Sequence, residues 1–141
     1  MLRDRRAYSS TLWALFIGAI FVPMLALTFD VGRYMYARQE LGKAADAAAV
    51  AAVTEINQRV FRENGGIELT GATYGMAQSY ADMNNDYLGQ FNIHPAVTSI
   101  QINQGQDTVL VAVSADLTAL FPSITPQILV TETGTAQVQG R

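Results

Sequence analysis

Apolar residues run without a charge from Leu12 to Phe29, LWALFIGAIFVPMLALTF, and Ser9, Ser10 and Thr11 extend the uncharged stretch to 21 residues. About 20 residues of α-helix cross a hydrocarbon core of roughly 30 Å. A run this long has nothing to bury it in a chain of 141 residues, so the pattern predicts a transmembrane helix over 9–29. A cleavable signal segment has an apolar region of only about 7–15 residues and ends at a small-residue site. Here residues 30–41 read DVGRYMYARQEL and keep a helical pattern. Pro23 inside the span lacks a backbone donor and crowds the carbonyl of Ala19, which predicts a kink or local opening. Ala14 and Gly18 form a small-xxx-small pair at which a second helix can approach.

The helical period continues past the span. Tyr34, Leu41, Ala45, Ala48, Ala52, Ile56 and Val60 recur at steps of three, four and seven and mark one face. Residues 44–53, AADAAAVAAV, hold seven alanines, the residue with the highest helix propensity. Asn64-Gly65-Gly66 supplies a stop signal. One helix from about residue 8 to residue 63 is therefore expected, with Glu55 and Arg59 as an i,i+4 ion pair. An alanine stripe buries little area per residue but admits close neighbours. It serves either simply to carry the C-terminal part of the same chain, or to do that and also pack against copies or related subunits.

From residue 64 the pattern changes. Met76, Tyr80, Met83, Tyr87 and Phe91 share one face of a predicted helix over 72–91, with Gly75 and Asn84-Asn85 as weak points, and read as core. Ile100 and Ile102, then Val109, Val111 and Val113, alternate with other residues at period two across Gln104-Gly105-Gln106-Asp107, which predicts a hairpin. Residues 128–138 read as a third strand, with Gly134 as a candidate bulge and Thr-rich enough to form an exposed edge. Leu117, Leu120 and Phe121 with Pro122 and Pro126 make an irregular apolar connector. The expected fold class is α+β: a long N-terminal helix, and a small head of one short helix and a three-stranded antiparallel sheet packed on the long helix.

Charge divides the chain. Arg3, Arg5 and Arg6 precede the span, and no Lys or Arg lies between Glu63 and Arg141. The positive-inside tendency puts the N-terminus in the cytoplasm and the acidic head across the membrane. The expected divisions are thus a basic segment 1–8, a span 9–29, an alanine-rich helix 30–63 and a head 64–141. With no Cys and one His, thiol catalysis, disulfides, thiolate zinc sites and a histidine metal cage are excluded. A net charge of −3 is unlike a nucleic-acid binder. Asp82-x-Asn84-x-Asp86 opens like an EF-hand loop, but Tyr87 and Ile93 stand where Gly and Glu are required. No P-loop, G-x-S-x-G or G-x-G-x-x-G is present. No enzyme, cofactor or metal is expected. Asp30 reads as an interfacial residue or a partner of Arg33, and Asp46 as a solvated position or a partner of Lys43 or of an Arg on a neighbouring subunit.

The order of a basic start, a span, Asp30-Val31-Gly32-Arg33-Tyr34, Ala37-Arg38-Gln39-Glu40-Leu41 and Ala44-Ala45-Asp46-Ala47-Ala48-Ala49-Val50-Ala51-Ala52 resembles the TadE/TadG-like pseudopilins of the bacterial Flp (tight adherence) pilus system over residues 5–53. Ala7 and the lack of any Glu before Glu40 depart from a pilin-type processing site, and the chain is shorter than TadG-like members with a von Willebrand-type domain. The resemblance implies a pilin-like subunit in the bacterial inner membrane or in a pilus filament. It also implies an assembly platform and ATPase as partners, with the lipid bilayer and copies or related subunits around the helix. The residues expected to pack in assembly are Ala14, Gly18, Pro23, Asp30, Gly32, Arg33, Leu41, Ala45, Asp46, Ala48 and Ala52. Two other readings stand beside this one: the main repeating subunit of an extracellular filament, and a tethered module whose acidic head binds a ligand or cation.

Overall fold

High helix propensity and an uninterrupted 3.6-residue period produce one long first element, α1, Arg3–Thr54. It runs through Pro23 without ending. The structure, a computed structural model, describes residues 3–83 and 86–139. Three short helices follow, α2 (Gln58–Asn64), α3 (Thr73–Met83) and α4 (Asp86–Gln90), then strands β1 (Ala96–Asn103), β2 (Thr108–Leu117) and β3 (Ile128–Gln137). The strands form one antiparallel sheet in the order β1-β2-β3. The fold is α+β. Of the sequence features above, Met1 and Leu2 of the basic start, Asn84-Asn85 with the middle of the Asp82-x-Asn84-x-Asp86 motif, and Arg141 lie outside the described residues.

The long helix is shorter than its periodicity suggests. It ends at Thr54, and residues 55–57 leave the helix to pair with 68–70. Ile56 bridges Leu69, the Asn57 amide donates to the Glu68 carbonyl at 2.8 Å, and the Glu55 carbonyl accepts from the Thr70 amide and the Thr73 hydroxyl. The Asn57 side chain then caps α2 by accepting from the Val60 amide. Apolar spacing runs on through the break because Ile56 in the bridge and Phe61 of α2 are buried as well. The predicted Glu55–Arg59 pair is lost with the break, and Arg59 instead holds Glu63 at 2.9 Å. The stop signal acts at the end of α2, where Gly65 takes φ 73° and returns its amide to the Phe61 carbonyl.

The chain divides into two compact units: the described residues of 1–34 with 118–127, and those of 35–117 with 128–141. In the larger unit the core is built from small residues. Leu41, Ala44, Ala45, Ala48, Ala49, Ala51 and Ala52 of α1 are buried, as are Val109, Val111 and Val113 of β2. Without bulk on the helix, the sheet can come unusually close. Gly134 of β3 sits where a Cβ would lie 2.1 Å from the Ala45 carbonyl oxygen. Gly134 is therefore no bulge. It pairs in regular register with Val111, and the irregularity lies in β1, between Val97 and Ser99.

The same principle inverts the expected core face of the second helix. Thr73, Ala77 and Ala81 are the buried face of α3, while Met76, Tyr80 and Met83 are exposed. The helix also ends at Met83, and Leu88 of α4 supplies the larger buried side chain. Hydrophobicity alone selected the bulky face; close approach selects the small one. The predicted hairpin forms as expected. The Gln104 side chain fastens its tip to both the amide and the carbonyl of Ile67, at 2.9 and 2.8 Å.

Ala48→Leu would add bulk where the Ala48 side chain is wholly buried. The expected loss is ~1–3 kcal/mol, measured by denaturant unfolding of the full chain in detergent. Ala14→Leu, on an exposed face of the span, should leave that stability unchanged.

Candidate functional site

Residues 12–29 carry almost nothing but apolar side chains, and these point outward. Trp13 is 64% exposed, and Leu15, Phe16, Phe21, Val22, Leu25 and Phe29 are similarly open. The most apolar window has a mean hydropathy of 2.2, and only 6% of it is buried. A core helix of a water-soluble fold would be covered; this one is long and apolar enough to cross a membrane, consistent with a membrane anchor. Within it, Ala14 is exposed and Gly18 and Pro23 are half-buried, with nothing within 4 Å of a Cβ at Gly18. Gly32 is exposed and equally open.

Directly after the span the helix carries a fully buried carboxylate. Asp30 Oδ1 accepts the Leu120 amide at 2.8 Å, and Oδ2 accepts the Phe121 amide at 3.3 Å. Arg33, one turn on, brings Nη1 to 3.8 Å from Oδ1. Burial opposes the charge on Asp30. The Leu120 amide, the Thr125 hydroxyl, the Phe121 amide and the Arg33 guanidinium favour it, and together they hold the carboxyl below its ordinary value. Tyr34 adds a hydrogen bond to the Pro126 carbonyl at 3.0 Å. Its own phenol is pushed up by burial and by the Asp30 charge, so it stays a donor. Both sequence readings of Asp30 thus understated it. It does face Arg33, but its principal partners are backbone amides 90 and 91 residues away. The uncharged, proline-flanked connector was visible in the sequence; its partner was not.

In the second unit the predicted residues divide by exposure. Leu41, Ala45, Ala48 and Ala52 are buried within the chain itself, so the stripe's first use is to carry the head. Asp46 is exposed, and Lys43 holds Glu40 at 2.6 Å rather than Asp46. That hydrogen bond raises the Lys43 ammonium above its ordinary value. Glu132 shares the inward parity of Val130 and Gly134 on β3, an unusual place for a carboxylate. The structure resolves this with an ion pair from Arg38 of α1 to Glu132. Among the described residues, no group of three or more His, Cys, Asp or Glu side chains gathers to hold a metal.

Residues 9–55 match the Tad family model, described as "Putative Flp pilus-assembly TadE/G-like". No curated protein and no solved structure matches the chain significantly. The matched segment takes in the exposed span, the Asp30 turn and the buried alanine face, and it ends one residue after α1 does. This third of the chain is thus similar to the TadE/G-like family, a match that supports a part in pilus assembly.

Proposed function

We propose that the protein is a membrane-anchored, non-enzymatic, pilin-like subunit of a Flp/Tad-type pilus system. The observation that carries this reading is a single helix, α1, whose first part offers an open apolar surface and whose last part is the core of an α+β head. The first part suits a bilayer or a bundle of like helices. The match over residues 9–55 supplies the pilus context. An assembly platform and ATPase are the partners this context implies, and the acidic head works outside the membrane.

Shearing the producing cells and weighing the chain by intact mass in the released filaments tests this. Abundant chain near the stoichiometry of the dominant band makes it a filament subunit. Chain retained wholly in the inner-membrane fraction sinks the filament role and leaves an assembly component. Substitutions at Ala48 or Ala52 do not separate these cases, because they damage the head in either one. Gly18→Leu does, since nothing lies within 4 Å of its Cβ inside the chain. It should lower self-association, read by crosslinking in membranes, while the head's unfolding midpoint stays the same.

A further inference from the structure

The connector between β2 and β3, residues 118–127, reads TALFPSITPQ and carries no charge. Its large apolar side chains are not used to fill a core: Leu120 is 54% exposed, Phe121 43% and Ile124 44%. Ordinarily a loop so apolar would be tucked in or replaced by polar residues. Here it is held at one defined level, the outer end of the span. Its Leu120 and Phe121 amides sit on Asp30, the residue after Phe29, and its Pro126 carbonyl accepts from Tyr34. Ala26, one helical turn deeper than Asp30, is also buried, and the connector is the other segment of that compact unit. The connector therefore reaches the depth of the last turn of the span, where Leu25, Leu27 and Phe29 are exposed on the remaining faces.

We infer that residues 118–127 form a second membrane-contacting element, with Leu120, Phe121 and Ile124 seated among lipid in the outer interfacial layer of the bilayer. This rests on the reading of 9–29 as a membrane span. The medium that surrounds the last turn of that span is the medium the connector meets at the same depth. Its backbone is prepared for such a place, because apolar surroundings penalise unpaired polar groups. The Leu120 and Phe121 amides are taken by Asp30, the Ile124 and Thr125 amides by the Phe121 carbonyl, and Pro122 and Pro126 have no amide hydrogen to satisfy. The buried Asp30 is then a positioning residue that fixes the depth of the loop.

The chain has no Cys, so single-cysteine variants of the full chain can carry an environment-sensitive fluorophore. Phe121→Cys and Ile124→Cys report the connector, Phe29→Cys the span end, and Gln101→Cys an exposed strand position. The lone Trp13 reports insertion of the span without a label. Each variant is placed in phosphatidylcholine–phosphatidylglycerol vesicles containing lipids spin-labelled near the headgroup. Quenching at 121 and 124 comparable to that at 29, with none at 101, is the expected result. Red-shifted, unquenched probes at 121 and 124, with Trp13 and position 29 quenched, would put the connector in water and overturn the inference. Blue-shifted but unquenched probes there would mean a second copy covers the patch, which overturns it equally. Loss of quenching at Trp13 and position 29 as well would remove the membrane span itself, and the inference with it.

Discussion

Gly134→Ala is expected to disrupt the packing of β3 on α1 and with it the head. The added Cβ would fall 2.1 Å from the Ala45 carbonyl oxygen and 2.5 Å from the Asp46 amide nitrogen. Both are backbone atoms of α1, so no side chain can rotate away, and either β3 or the helix must shift. Overpacking of cores costs ~1–3 kcal/mol, and a clash against helix backbone belongs at the upper end, about 3 kcal/mol. Hydrogen exchange at the β2 amides Val109 to Val113, in the full chain in detergent, reads the effect. The expected result is faster exchange across both ladders, since β2 pairs with β1 and β3. Gly75→Ala is the matched control of opposite sign. Gly75 lies inside α3 with nothing within 4 Å of a Cβ. Exchanging helical Gly for Ala there stabilises by roughly 0.5–1 kcal/mol. Equal protection in the Gly134→Ala chain and the parent would mean that the sheet and α1 do not meet at Ala45.

Asp30→Ala is expected to release the connector. Removal of the carboxylate leaves the Leu120 and Phe121 amides without their acceptor and Arg33 without its ion-pair partner at that position. A donor that stays buried after losing its acceptor pays its full desolvation cost. Proteolysis within 118–127 should become rapid, while cleavage elsewhere in the head stays slow. Asp30→Asn should fall between parent and Asp30→Ala, because one amide oxygen remains to accept while the amide nitrogen faces a donor. The pH dependence has a definite sign. The carboxyl is held below its ordinary value of 3.8 in the folded chain. Its contribution is therefore complete at pH values above the ordinary one and is lost as pH falls through the lowered one. Connector cleavage should rise on acidification below about pH 4 in the parent. It should be unresponsive to pH in Asp30→Ala; a parent and variant with the same pH profile would mean that Asp30 does not hold the loop.

The features legible in the chain were those written in local pattern. The uncharged run at 9–29 is a matter of length and composition, and the alanine segment 44–53 of propensity. The alternation of Val109, Val111 and Val113 set the buried face of β2, and Asn64-Gly65-Gly66 ended a helix. Asp30-Val31-Gly32-Arg33 with the alanine run carried the family resemblance, and the matched residues 9–55 fall on the same stretch. Less legible were positions where a local signal points two ways. Met76, Tyr80 and Met83 look like core by hydrophobicity, yet Ala77 and Ala81 are buried instead. A continuous stripe through Ala52, Ile56 and Val60 conceals a helix break, because both sides of the break need apolar residues.

The sequence by itself determined that the chain has one apolar span, a helical alanine face beyond it and an antiparallel hairpin with a third strand. Each of these follows from residue types within a few turns of one another. Only the tertiary structure decided how distant residues use them. It set Gly134 against the Ala45 carbonyl, Glu132 against Arg38, Glu55 against Thr70 and Thr73, and Asp30 against the amides of Leu120 and Phe121. The reason is that these are demands of close approach and of buried polar groups. A glycine is required only where another backbone arrives, and a buried carboxylate persists only where donors from elsewhere in the chain satisfy it.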